Sequence, residues 1–163
     1  MVEERSRIGD WEADTIIGKG HKQALVSLTE RKSRLSLIYK VERKTKDEVT
    51  DAVTTLLNPI KDNVLTLTSD NGKEFANYKT IAHHLGADFY FAHAYASYER
   101  GTNENTNGLI RQYFPKSRDF RTITYNEIVR AMKRLNNRPR KCLGFKTPNQ
   151  VFWGETSRVA LTT

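Results

Sequence analysis

Three acidic residues stand where the sequence would place chemistry. The β-type run "VLTL" is followed almost at once by Asp70, within "TSDNGKEF" (68–75). In an α/β sheet the carboxyl end of a strand opens into the crevice where ligands are held, which makes a charged residue there a candidate for function. Asp14 lies inside "DWEADTIIG", among Trp11, Ile16 and Ile17, and an acid in so apolar a strand needs a partner. Glu104 lies in "GTNENTNG", where a loop gives way to a helix. Each has a plainer reading. Asp-Asn-Gly is ordinary turn chemistry, and an acid in a first helical turn favours the macrodipole. Asp10 and Glu12 alternate with Asp14 in the strand period and share its face, so either could be mistaken for it.

Gathered together, three carboxylates repel one another unless a cation lies between them. Oxygen-only donors favour Mg2+, with Mn2+ as a substitute, over zinc. Two such ions about 4 Å apart activate an attacking oxygen on one side of a phosphate and stabilise the leaving oxygen on the other. The chemistry implied is phosphodiester hydrolysis or transfer.

The elements that must position these acids follow from hydrophobic period. "DWEADTIIG", "QALVSLTE" and "RLSLIYKV" read as three strands, the first two joined by a Gly-containing turn, so an antiparallel meander is expected. From Thr45 the period becomes helical through Val49, Ala52, Val53, Leu56 and Leu57, until Asn58-Pro59 stops it. "VLTLT" is a fourth strand. Phe75, Tyr78, Ala82 and Leu85 form a second helical stripe ending before Gly86, and "ADFYFA" is a fifth strand. "HAYASYERGTNEN" is expected to be a loop leading into a helix over 103–114, closed by Pro115. A helix over 125–137 carries Ile128, Met132 and Leu135 on one face, and "TPNQVFWG" is a final turn with Thr147 as cap and Pro148 at the first helical position. The expected fold class is α/β, a five-stranded mixed sheet flanked by helices in one domain of 163 residues.

The net charge of +8 is unevenly spread: between Arg100 and Arg140 ten Lys and Arg face three acids. A solvated helix face explains part of this, but beside a carboxylate set a polyanionic partner is the better reading. The single cysteine, Cys142, excludes an internal disulfide, and the four histidines have no zinc-finger spacing. No stretch resembles a signal peptide or a membrane span, so a soluble cytoplasmic protein is expected.

Taken in order, "GDWEADTIIG", "TSDNGKEF" and "YERGTNENTNGLIRQYFPK" resemble the catalytic core of DDE transposases and retroviral integrases, and more narrowly the bacterial insertion-sequence transposases of family thirty. The resemblance runs from about Ile8 to Gly154 and implies an RNase H-like fold, with DNA cleavage and strand transfer supported by two Mg2+ ions. It makes Asp14, Asp70 and Glu104 the catalytic and metal-holding acids, preferring Asp14 to Glu12. It also implies DNA as partner, both transposon ends and target, action as a homodimer or larger assembly, and a bacterial, nucleoid-associated setting.

Arg111, seven residues after Glu104, and Arg100 in the preceding loop are candidate DNA contacts, together with Asn103 and Lys116; Tyr95 and Tyr98 could stack on strand ends. Asn103, Asn105 and Asn107 are expected to order the helix start. Relatives often carry proline where Ala94 stands, which would leave the loop before Glu104 looser here. Residues 1–7 read as a leader, 8–154 as the core and 155–163 as a tail. On this reading the chain is a catalytic domain without the family's helix-turn-helix region for transposon ends. The competing functions are an RNase H-type nuclease that uses only water as nucleophile, and a catalytically silent DNA-binding or assembly module.

Overall fold

The computed structural model describes residues 7–92 and 101–154. A single sheet organises them, with β1 (Asp10–Ile17), β2 (Ala24–Glu30), β3 (Ser36–Val41), β4 (Thr66–Ser69) and β5 (Asp88–Phe91) in the spatial order β3-β2-β1-β4-β5. β1 pairs antiparallel with β2, and β2 with β3, as the short connections require. β4 pairs parallel with β1, and β5 with β4. These parallel pairs are reached through crossovers containing α1 (Lys46–Leu57) and α2 (Tyr78–Leu85). The expected meander, crossovers and mixed five-stranded sheet are all present.

Both faces of the sheet are covered, and period-two alternation sorts the side chains between them. On one face Trp11, Ala13, Val26, Leu28 and Leu67 pack with Val49, Val53 and Leu57 of α1, Ile81 and Leu85 of α2, and Phe152 of α5 (Pro148–Trp153). On the other, Ile16, Leu25 and Ile38 pack with Ile110 at the end of α3 (Gly101–Ile110), with Phe114 and Phe120, and with Ile128, Ala131 and Leu135 of α4 (Tyr125–Asn136). Residues 10, 12, 14 and 16 of β1 therefore face α3 and α4, while 11, 13 and 15 face the opposite layer.

Local signals set most boundaries. Thr45 and Thr124 cap α1 and α4 through their side chains, and Thr147 forms a capping box with Gln150 ahead of Pro148. Gly86 ends α2 in the left-handed region at φ 63°.

Two expectations need correction. Phe75 does not belong to the second helix. It sits in a separate 3-10 turn over Lys73–Phe75, and after that break Ile81, not the half-buried Ala82, shares the core with Leu85. The helix expected over 103–114 spans 101–110 instead. Beyond it, bonds from Gln112 N–H to Leu109 and from Tyr113 N–H to Ile110 tighten the chain, and Phe114 is delivered into the core. Among the described residues no helix is long and apolar enough to cross a membrane.

Candidate active site

The parallel ladder of β1 and β4 pairs Asp10 with Thr66, Trp11 with Leu67 and Glu12 with Thr68. Continued by two residues, this register sets Asp70 level with Asp14. Alternation puts Asp14 on the face that looks toward α3 and α4, together with the earlier acids of β1, while Asp70 lies one residue past the end of β4. The hydrogen bond from Thr66 Oγ1 to Asp10 Oδ1, 2.8 Å, lies on that same face.

The structure separates the three acids of β1 by environment. Asp10 is fully buried, gripped by Arg7 through Nε and Nη2, each at 3.0 Å. Burial opposes its charge, but the bonds from Arg7 and Thr66 outweigh it and hold the carboxyl below its usual range. Glu12, also fully buried, faces the Arg31 guanidinium at 3.3 Å. Each is thus matched with an arginine, Arg7 at the surface and Arg31 in the interior. Asp14, nearer the carboxyl end of β1, is only half-buried, and two neutral donors hold it. The Thr15 N–H reaches Oδ1 at 2.8 Å, and Asn107 Nδ2 reaches Oδ2 at 2.8 Å. The ambiguity among Asp10, Glu12 and Asp14 in the sequence is a difference of surroundings here.

Asp70 follows directly after β4 and is half-buried. Its Oδ1 accepts the Gly72 N–H at 3.0 Å. Gly72 has φ −73°, so the turn does not need glycine for its backbone. It needs the space: a Cβ there would lie 2.1 Å from Glu74 Oε1 and 2.8 Å from Asp70 Oδ1. Glu74 is buried, takes the Thr15 hydroxyl at 2.8 Å and meets Lys44 Nζ at 3.1 Å. Burial again opposes the charge, and these partners, with its own backbone N–H, bring the carboxyl below its usual range.

α3 carries the third acid. Its early residues are anchored by Thr102, buried, which accepts from Arg34, and by Thr106, whose hydroxyl donates to the Thr102 carbonyl at 3.0 Å. Asn107, one turn after Glu104 in the helix, touches Asp14, so α3 is bound to β1 at the site. The Glu104 and Asn103 side chains lie outside the described residues, as do Arg100, Tyr95, Tyr98 and Ala94. Among the described residues no three acidic, His or Cys side chains form a metal-binding group.

Of the remaining candidate DNA contacts, Lys116 is exposed in the turn after Pro115. Arg111 is half-buried with its guanidinium 5.9 Å over the Phe120 ring, and burial lowers its pKa. The basic segment is partly neutralised from within, by Arg118 with Glu127 and Arg121 with Asp119. Arg130, Lys133 and Arg134 stand exposed on α4, without an ion pair among the described residues, and line a groove with Tyr113 and Arg138. Sequence reasoning missed Thr15, Lys44 and Glu74. Glu74 lies within "TSDNGKEF", but its partners come from other elements.

The model of the integrase core domain family matches residues 5–97. The chain is 47% identical over 152 residues to the transposase for insertion sequence element IS4351 of Bacteroides fragilis, covering 93% of this chain and 47% of that protein. It is 37% identical over 152 residues to transposase InsI for insertion sequence element IS30A of Escherichia coli K12, covering 93% and 39%. The chain thus spans less than half the length of either relative. The crystal structure of the BIV integrase catalytic core domain superposes with a TM-score of 0.71 at 19% identity, covering 94% of this chain and 98% of that one. The HTLV-2 integrase catalytic core domain in complex with magnesium does so with 0.69 at 19%, covering 90% and 97%. The fold is therefore RNase H-like. Matched over more than half of its residues by that model, and aligned along most of its length with insertion-sequence transposases, the chain belongs to the integrase core domain family.

Proposed function

We propose that residues 8–154 form a transposase catalytic core that cleaves DNA at an element's end and joins the freed 3′-hydroxyl to target DNA. Asp14, Asp70 and Glu104 serve as its catalytic, metal-holding acids. The observation that carries this reading is the β1/β4 register. Continued two residues past its last pair, it brings Asp14 and Asp70 to neighbouring positions, Asp14 within β1 and Asp70 directly after β4.

The donors suit a hard divalent cation. Asp14 and Asp70 offer carboxylate oxygens, and each has one oxygen oriented by a backbone N–H. When bound, a pair of Mg2+ ions, or Mn2+ in their place, supplies an activated oxygen nucleophile and charge stabilisation at the scissile phosphate. The chain's own residues do the rest. Asn107 and the Thr15 N–H fix the Asp14 carboxylate. The Gly72 N–H fixes that of Asp70. The helix bearing Glu104 is held against β1 through Asn107. Lys116, Arg111, Arg100 and Asn103 are proposed contacts to DNA phosphates and ends, and the joining of two ends implies a homodimer or larger assembly. The magnesium complex of the HTLV-2 core and the insertion-sequence relatives support this assignment by analogy.

The test is strand transfer and cleavage on a branched DNA that mimics the joined product, with Mg2+ or Mn2+. The branched substrate bypasses end recognition. Metal-dependent joining that disappears in Asp70→Asn and Glu104→Gln is expected. Hydrolysis with no joining would point instead to a nuclease, and DNA binding with no chemistry to a silent module.

A further inference from the structure

The last pair in the β1/β4 ladder is Glu12 with Thr68, two residues short of Asp14 and Asp70. The two acids therefore sit beyond the backbone pairing that sets the distance between their strands. A side-chain bridge spans the gap from the opposite face. The Thr15 hydroxyl donates to Glu74 Oε2 at 2.8 Å, and Lys44 Nζ holds the same oxygen at 3.1 Å. Both ends of this bridge touch the groups that orient the acids. Thr15 gives its backbone N–H to Asp14 Oδ1 at 2.8 Å. The other carboxylate oxygen of Glu74 fills the space above Gly72, whose N–H is bonded to Asp70 Oδ1 at 3.0 Å.

We propose that Glu74 is a positioning residue that, through Thr15, ties the turn after Asp70 to β1 and so holds the Asp14 and Asp70 carboxylates at the separation a divalent cation requires. This rests on the reading of those two acids as metal ligands. Glu74 is not a ligand itself, because it is buried and engaged by Thr15 and Lys44 on the face of β1 away from Asp14. Its role matches that of outer partners at metal sites, whose loss lowers metal affinity although no ligand is removed.

The experiment measures thermal stabilisation of the 163-residue chain by Mg2+ alone, giving both the metal-free Tm and the Mg2+ concentration at half effect. Thr15→Val removes the hydroxyl and keeps the N–H to Asp14. It is expected to raise that concentration about tenfold or more with little change in metal-free Tm. Glu74→Ala should raise it as much but also lower the metal-free Tm, because the ion pair with Lys44 is lost. The double variant should have an Mg2+ midpoint no worse than either single one, and Glu74→Gln, which keeps an oxygen for Thr15, should keep a midpoint near wild type. A fall in metal-free Tm with an unchanged Mg2+ midpoint in Thr15→Val would reduce the bridge to a structural role and overturn the proposal. So would a loss in Glu74→Gln equal to that in Glu74→Ala. Asp70→Asn separates the two ideas. If it abolishes the Mg2+ effect and Thr15→Val does not, only the positioning role falls. If Asp70→Asn binds Mg2+ like wild type, the ligand reading fails and takes this proposal with it.

Discussion

Asn107 Nδ2 donates to Asp14 Oδ2 at 2.8 Å, tying α3 to the central strand of the sheet across 93 residues of chain. The bond orients a carboxylate without neutralising it, which a lysine or arginine in the same place would do. Asn107→Ala should therefore reduce strand transfer by roughly 10- to 100-fold, as for other residues that orient a ligand, while a single lost hydrogen bond costs about 1 kcal/mol of stability. Asn107→Asp should be more damaging, since a second carboxylate would face Asp14. Strand-transfer rates and chemical denaturation of the two variants check both statements.

Gly72→Ala tests the crowding beside Asp70. The added methyl would meet Glu74 Oε1 and Asp70 Oδ1 well inside contact distance, and Glu74 is held by Thr15 and Lys44 and has little freedom to retreat. A destabilisation of ~1–3 kcal/mol is expected, with loss of activity beyond what the remaining folded fraction explains. Urea unfolding, paired with activity per folded molecule, measures it.

Acid should loosen the fold through the buried carboxylates. Asp10 and Glu74 both have folded pKa values below their unfolded ones, so their contribution to stability is fully present above the unfolded value of about 4 and is lost as pH falls through the folded value. Stability measured between neutral pH and pH 2 should therefore fall in the acid limb. Asp10→Asn should flatten that limb while lowering stability at pH 7, because Arg7 and Thr66 lose their charged partner. An unchanged acid limb in the variant would contradict this assignment.

The exposed cations of α4 should contribute to DNA affinity through phosphates, not through bases. Replacing Arg130, Lys133 and Arg134 together with glutamine should weaken binding to duplexes of unrelated sequence alike. The dependence of log K on log salt should become shallower by roughly 0.9 for each phosphate that is no longer neutralised. An unchanged salt slope would exclude this face from DNA binding.

Much of this protein is legible from residue order alone, and for local reasons. Strand and helix patterns depend on neighbours two to four positions away, so the alternation in β1 and the stripe of Val49, Ala52, Val53 and Leu57 are visible without coordinates. Caps such as Thr45, Thr147 and Gly86 act within one turn of their helices and are equally readable. Asp14 and Asp70 stand out because a charge in an apolar strand, or directly after one, conflicts with its surroundings, whereas Glu104 stands out only through the motif "GTNENTNG". Where local pattern misled, as with Phe75 and the extent of α3, packing of an aromatic side chain overrode the helical period.

What the residue order left open was which acids are matched and by what. Asp10, Glu12 and Asp14 are equivalent in period and type. Only folding brings Arg31 from beyond β2 to Glu12, and Asn107 from α3 to Asp14. The same holds for Glu74, whose partners Thr15 and Lys44 come from β1 and the segment before α1. Composition, hydrophobic period and turn chemistry act over a few residues and determine the elements. The electrostatic surroundings of a carboxylate depend on atoms within a few ångströms in space, and those were decided by the tertiary structure.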